Sequence, residues 1–153
     1  MLTAMEVARY IINRYSEKGK PVSNMKLQKL LYLAQIYFLE RTGKKLFEDD
    51  IKAWKFGPIV IDVYQGYCMF GANSIYRTYD GAKEIVENEL GKYKEHKLNE
   101  VLDENCKLES WELVRKVQEP GKAWDLTYRQ GKGAYFTISE DNMKEFGSDL
   151  QRK

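Results

Sequence analysis

The amino-acid sequence predicts a mainly α fold (α+β with a minor sheet). The expected form is a compact single-domain helical bundle over residues 1–153, around a buried central helix, with a small two- or three-stranded β element. Three observations carry this. Met25–Leu39, MKLQKLLYLAQIYFL, holds ten large apolar or aromatic residues and no Gly, Pro or acid. Most other segments place apolar residues at helical spacing behind recognisable caps. Only Ile51–Phe56 and Ala134–Ile138 read as extended.

The central helix is the strongest element. Leu27, Leu30, Leu31, Ala34 and Phe38 follow the i, i+3, i+4, i+7 spacing of one face, and Leu33, Ile36, Tyr37 and Leu39 carry apolar character to the others. A helix apolar nearly all round is buried on several sides. It is too short to cross a bilayer, and Lys26, Gln28, Lys29 and Gln35 interrupt it. Ser23 is its N-cap, and Gly43 ends it. Before it, Thr3 and Glu6 stand in capping-box relation, and Val7, Ala8, Ile11, Ile12 and Tyr15 form a buried stripe up to Gly19 and Pro21.

After it, Ile51–Phe56 alternates as a short strand does. Gly57 supplies a flexible position, and Pro58 is placed at the first turn of a helix bearing Ile59, Val60, Val63, Tyr64 and Tyr67. Tyr76–Gly81 reads as a mobile loop. Ala82–Glu89 and Lys92–Asn105 read as helices parted at Gly91, the second with Leu98, Val101, Leu102 and Cys106 inward. Ser110 caps Trp111–Val117, Pro120-Gly121 turns the chain, and Thr127–Gly133 is polar and Gly-rich. Ala134–Ile138 is expected to pair with Ile51–Trp54, and Ser139 caps a last helix with Met143 and Phe146 inward.

Composition narrows the function classes. The chain is 43% hydrophobic and 31% charged, with a net charge of +2. That balance is too weak to argue for nucleic acid or membrane. Residues 1–62 carry 11 basic and 7 acidic groups, and residues 83–115 carry 6 basic and 9 acidic ones. Either two solvated faces or a polarised partner surface fits this. Cys68 and Cys106 have no CxxC spacing, so they read as reduced, partly buried thiols. No secretory signal is visible in Met1–Tyr15, which predicts a cytoplasmic protein.

No motif for bond chemistry stands out. His96, the single histidine, lies among Lys94, Glu95 and Lys97 and reads as solvated on a polar helix. There is no G-x-S-x-G elbow and no phosphate loop. Glu48-Asp49-Asp50 lacks the spacing of a calcium loop. No catalytic residue, cofactor or metal site is therefore expected. The first two helices superficially resemble a helix-turn-helix, but the second is too apolar to lie in a DNA groove. Tyr32, Tyr37, Trp54, Phe56, Tyr64 and Tyr67 lie on elements expected to meet. They pack as core, or some line a groove for a partner, rimmed by Lys26 and Lys29.

The order KLQKLLYLAQ (Lys26–Gln35), then an extended piece holding Trp54, then FGPIVIDVY (Phe56–Tyr64) resembles the Panacea domain, the SocA-like antitoxin domain, also called GepA-like or phage-associated. The family pattern runs K-L-Q-K-L-L-Y-x-A, then I-x-A-W-x-x-G-P-V-x-x-x-Y. Lys26, Gln28, Lys29, Tyr32, Trp54, Gly57, Pro58 and Tyr64 sit on it, and Ile59 replaces the usual Val. The likeness continues through Leu98–Leu102, Leu108, Ser110–Val117, Pro120, Gly121, Trp124 and Ile138. Before the Pro-Gly step the family often shows Thr-His, where this chain has Val117-Gln118.

The resemblance implies an antitoxin that neutralises a cognate toxin by direct binding, without enzymatic activity, with an AAA+ protease as a further partner if it also acts as a proteolytic adaptor. Those motif residues, with Trp124, are the candidates for scaffold or partner contact. The partner-specific surface is expected on Tyr76–Gly81 or Thr127–Gly133. A DNA-binding regulator is the alternative reading.

Overall fold

Capping chemistry sets the first two helices as expected. The computed structural model describes residues 1–93 and 96–147. Helix α1 is Ala4–Glu17. The Glu6 N–H donates to Thr3 Oγ1 at 3.1 Å, and the Thr3 N–H donates to Glu6 Oε1 at 2.9 Å. A third terminal amide, Ala4 N–H, donates to Asp49 Oδ1 at 2.8 Å. Asp49 is thus a second cap, supplied from a distant loop. Strand β1, Val22–Ser23, leads into α2, Asn24–Thr42, which Ser23 caps and Gly43 ends.

Helix α2 is the axis of the molecule. Leu27, Leu30, Leu31, Ala34 and Ile36 have no measurable exposure. Around it pack α1 and five later helices, namely α3 (Ile61–Gly66), α5 (Leu98–Cys106), α6 (Ser110–Val117), α7 (Ala123–Tyr128) and α8 (Glu140–Phe146), of which all but α7 contact it extensively. Helix α4, Ala82–Leu90, lies on α1 instead.

The β element is in two pieces. Strand β4, Ser74–Ile75, pairs antiparallel with β1. Strands β2, Lys52–Trp54, and β3, Gly57–Ile59, form a hairpin with Ala53 opposite Pro58. The pairing expected from Ala134–Ile138 is present on the other side of β2. Ala53 N–H donates to Phe136 O at 2.9 Å, Tyr135 N–H to Ala53 O at 2.7 Å and Ile138 N–H to Ile51 O at 2.8 Å.

Pro58 is not the start of a helix. It lies in β3, and α3 begins three residues later. Ala53 spends its N–H and C=O on residues 135–136, so its pair with Pro58 carries no ladder bond. The missing proline N–H therefore costs nothing there. The chain stays extended because the Val60 N–H is captured by Gln28 Oε1 at 2.9 Å.

Other expectations shift for local reasons. Helix α5 starts at Leu98, not Lys92. Lys97 has φ 49°, and His96, off any helix, accepts the Leu98 N–H on Nδ1 at 2.9 Å. Residues 94 and 95 lie outside the described residues. The N-cap of α6 is Glu109 rather than Ser110, because Glu112 reaches back to the Glu109 N–H at 3.0 Å. Thr127–Gly133 contains the end of α7. There Gly133 lies so close to the Thr127 carbonyl that a Cβ would overlap it. Cys68 is exposed and only Cys106 half-buried.

The expected mobile loop is strapped down. Tyr79 N–H donates to Asn13 Oδ1 at 2.6 Å, Asn13 Nδ2 donates to Tyr79 O at 2.8 Å, and Arg77 N–H donates to Ser16 Oγ at 3.1 Å.

Two polar devices bind the helices to what surrounds them. Gln35, fully buried, accepts the Leu46 and Phe47 N–H groups on Oε1 at 2.7 and 3.2 Å and donates Nε2 to Phe47 O at 2.9 Å. Replacing it by leucine orphans three buried backbone groups, each costing about 1–3 kcal/mol. We therefore expect Gln35→Leu to lower stability by at least about 2 kcal/mol, read from the urea midpoint.

The second device joins α1 to α5. Arg14 donates to both carboxylate oxygens of Asp103 at 3.0 and 2.6 Å, and Tyr15 Oη donates to it at 2.8 Å. The Arg14 guanidinium, aided by Tyr15, holds the Asp103 carboxyl down to about 2. A lowered acid pKa stabilises the fold fully above the ordinary carboxylate range and loses that contribution as pH falls toward 2. The pair is about one-third exposed, so solvent screening limits the contribution to about 1–2 kcal/mol. Between pH 5 and pH 2, wild type should lose that much more stability than Asp103→Asn, measured by denaturation at each pH.

Candidate functional site

The sequence-expected site residues divide into those spent on the frame and those that reach the surface. Lys26 Nζ donates to Cys106 O at 2.6 Å, placing a cation on the last carbonyls of α5. Gln28 spans Asn24 Oδ1 at 3.1 Å and the Val60 amide. Lys29 is 5% exposed and touches Met25 O at 3.4 Å, and burial pushes its ammonium pKa down. Of the two lysines expected at a groove rim, the half-buried Lys26 thus caps a helix and Lys29 is inside. The Tyr32 phenol is buried beside the Trp124 backbone, and burial pushes its pKa up.

With its helix face enclosed by other elements, α2 cannot enter a DNA groove. The helix-turn-helix geometry behind the DNA-reading alternative is not available in this fold.

Trp54, Gly57, Tyr64 and Trp124 come together at the hairpin corner. Trp124 is buried, donates Nε1 to Trp54 O at 2.9 Å and stacks on Tyr128 with centroids 4.7 Å apart. Trp54 is half-buried rather than core. Its ring meets Tyr64 edge-on at 5.4 Å and Phe56 at 4.8 Å, and Phe56 is 50% exposed. Tyr64 supplies its carbonyl to Asn24 Nδ2 at 2.9 Å. Gln118, standing where the family often has histidine, donates Nε2 to Lys55 O at 3.2 Å and ties the hairpin turn to the end of α6.

Sequence reasoning missed the residues that surround this corner. Trp111 is 60% exposed, Tyr135 58% and Phe136 55%. Trp111, Val114, Arg115, Gln118 and Pro120 line a shallow depression of about 600 Å³. A signal existed for Trp111. Leu113 and Val117 are the buried residues of α6, one turn apart, and Trp111 is off their stripe. Among the described residues, no group of three or more His, Cys, Asp or Glu side chains is gathered as metal ligands. No helix among them is long and apolar enough to cross a membrane.

The fold is thus that of a mainly helical α+β protein whose motif residues are largely built into its frame. It belongs to the family described as Antitoxin SocA-like, Panacea domain, which matches residues 27–125. It is also similar to Antitoxin SocA of Caulobacter vibrioides (strain NA1000 / CB15N), at 36% identity over 89 residues. That alignment covers 58% of this chain and 42% of the relative, so the chain spans less than half the relative's length. No solved structure matches.

Gly57 sets the corner's shape. Its φ of +119° is open to glycine, and a Cβ there would meet only ordinary contacts from Gln118 and Val117. The penalty for Gly57→Ala is therefore conformational, about 1–3 kcal/mol. A drop of several degrees in the melting temperature is the expected reading.

Proposed function

We propose that this protein is an antitoxin that neutralises a co-encoded toxin by direct protein–protein binding in the cytoplasm, acting as one domain over residues 1–153 and without bond chemistry. The observation that carries the reading is the family match over residues 27–125. The surface chemistry is in keeping with it. The exposed Trp111 and Tyr135, with nearby arginines, are of the residue types that dominate binding hot spots. A standard interface removes roughly 1,600 Å² in total, a modest part of the 8300 Å² this molecule exposes.

Neutralisation by binding is stoichiometric. Co-expression with the product of the adjacent open reading frame should rescue growth, and the two chains should co-elute as a complex of fixed ratio. Persisting toxicity in cells where this protein is soluble and folded overturns the reading.

A further inference from the structure

Three exposed rings on and around the hairpin corner each carry a cation. Lys55 Nζ lies 4.8 Å from the Phe56 centroid, Arg115 Cζ 5.8 Å from that of Trp111, and Arg129 Cζ 5.8 Å from that of Phe136. All are within reach of a cation–π attraction. The three pairs come from separate parts of the chain, on elements that are each bonded to the hairpin. Gln118 joins the Lys55 carbonyl to α6, which carries Trp111 and Arg115, and Phe136 O accepts the Ala53 N–H from the opposite side of β2.

Among the described residues, none of these three cations pairs with a carboxylate. Two acids, Glu112 and Glu119, line the depression beside Arg115 without forming an ion pair with it. Glu112 closes the α6 capping box and Asp125 Oδ2 accepts the Gly121 N–H at 3.0 Å, while Glu119 is exposed on the depression's rim.

We infer that this face, resting on the antitoxin reading above, receives an acidic segment of the toxin, with carboxylates meeting Arg115, Arg129 and Lys55 and apolar side chains meeting Trp111, Phe56 and Phe136. Three cations without ion pairs select a partner segment of opposite charge. A guanidinium lying on a ring keeps its edge N–H groups free, and a carboxylate takes them in a bidentate, charge-assisted pair. The ring holds the guanidinium in place, so less side-chain freedom is lost on binding. A single-stranded nucleic acid fits less well, because its bases would compete with the cations for the same ring faces, and the net charge of +2 gives little phosphate attraction.

The test uses the full chain and the purified product of the adjacent open reading frame, titrated by calorimetry at low and high salt. Arg115→Glu and Arg129→Glu should each weaken binding about tenfold or more and flatten its salt dependence. Lys83→Glu on the distant α4 should leave affinity unchanged, and unaltered melting curves verify that the variants fold. An Asp or Glu to Arg change in the toxin that restores binding to Arg115→Glu supports the assignment directly.

Wild-type binding retained by both reversal variants overturns the face while leaving the antitoxin reading standing. Failure of the wild type to bind or rescue overturns that reading and this inference with it. The face is also overturned if the variants instead abolish self-association in sedimentation, or binding to an oligo-uridine probe, while toxin affinity is unchanged.

Discussion

Two glutamines seven residues apart hold the structure in register. Gln28 and Gln35 lie two turns apart on one stripe of α2, and both are buried with their amides bonded to chain outside the helix. Gln28 fixes Val60, the entry to α3. Gln35 fixes Leu46 and Phe47, the exit of the loop after α2. Between these two anchored points run β2 and β3, so the hairpin's position is set from both ends by one helical stripe. An apolar residue at either position would keep the hydrophobic burial but release the backbone it holds. The core gives the molecule its stability, and the two amides specify which loop sits where.

Several other motif side chains are likewise bonded or buried within the frame. Lys26 caps α5, Lys29 is inside, and Tyr32 is buried beside Trp124. Polar side chains committed to internal bonds cannot also meet a partner without releasing what they hold. Trp54 is the exception, since its carbonyl is bonded to Trp124 while its half-buried ring faces Phe56 and Tyr64. It stands where the frame reaches the surface.

Local chemistry made much of the fold legible. The capping box at Thr3, the cap at Ser23 and the all-round apolar run of α2 each act within a few residues, so their helices lie where the spacing put them. Ala134–Ile138 was also legible as the partner of β2. What sequence spacing could not show was decided at long range. Pro58 suits a helix start as well as it suits β3, and the choice falls to Gln28, thirty residues away. Lys92–Asn105 has helical spacing, yet Lys97 adopts a left-handed conformation and His96 takes the first amide of α5. Of the candidate residues, Trp54, Gly57, Tyr64 and Trp124 lie together, whereas the half-buried Lys26 is bonded to the end of α5 and Lys29 is buried, placements set by distant elements rather than by spacing along α2.

The exposed rings pose a physical question of their own. Phe56, Trp111 and Phe136 leave large apolar area in water, which burial would make favourable by about 25 cal/mol per Å². Turning them inward is blocked locally. Ala53 and Ile138 already occupy the inner side of the hairpin and its neighbouring segment, and Leu113 and Val117 fill the inner stripe of α6. Trp111 therefore stands on the outer side of a helix whose inner side is full, and Phe56 stands in the turn between β2 and β3. Phe56 falls at an open position of the motif, two residues after Trp54, Trp111 lies within the matched residues 27–125, and Phe136 lies beyond them. A frame set by buried amides and caps can carry different side chains at such positions without disturbing its own bonds, which separates the residues that make the fold from those free to meet a partner.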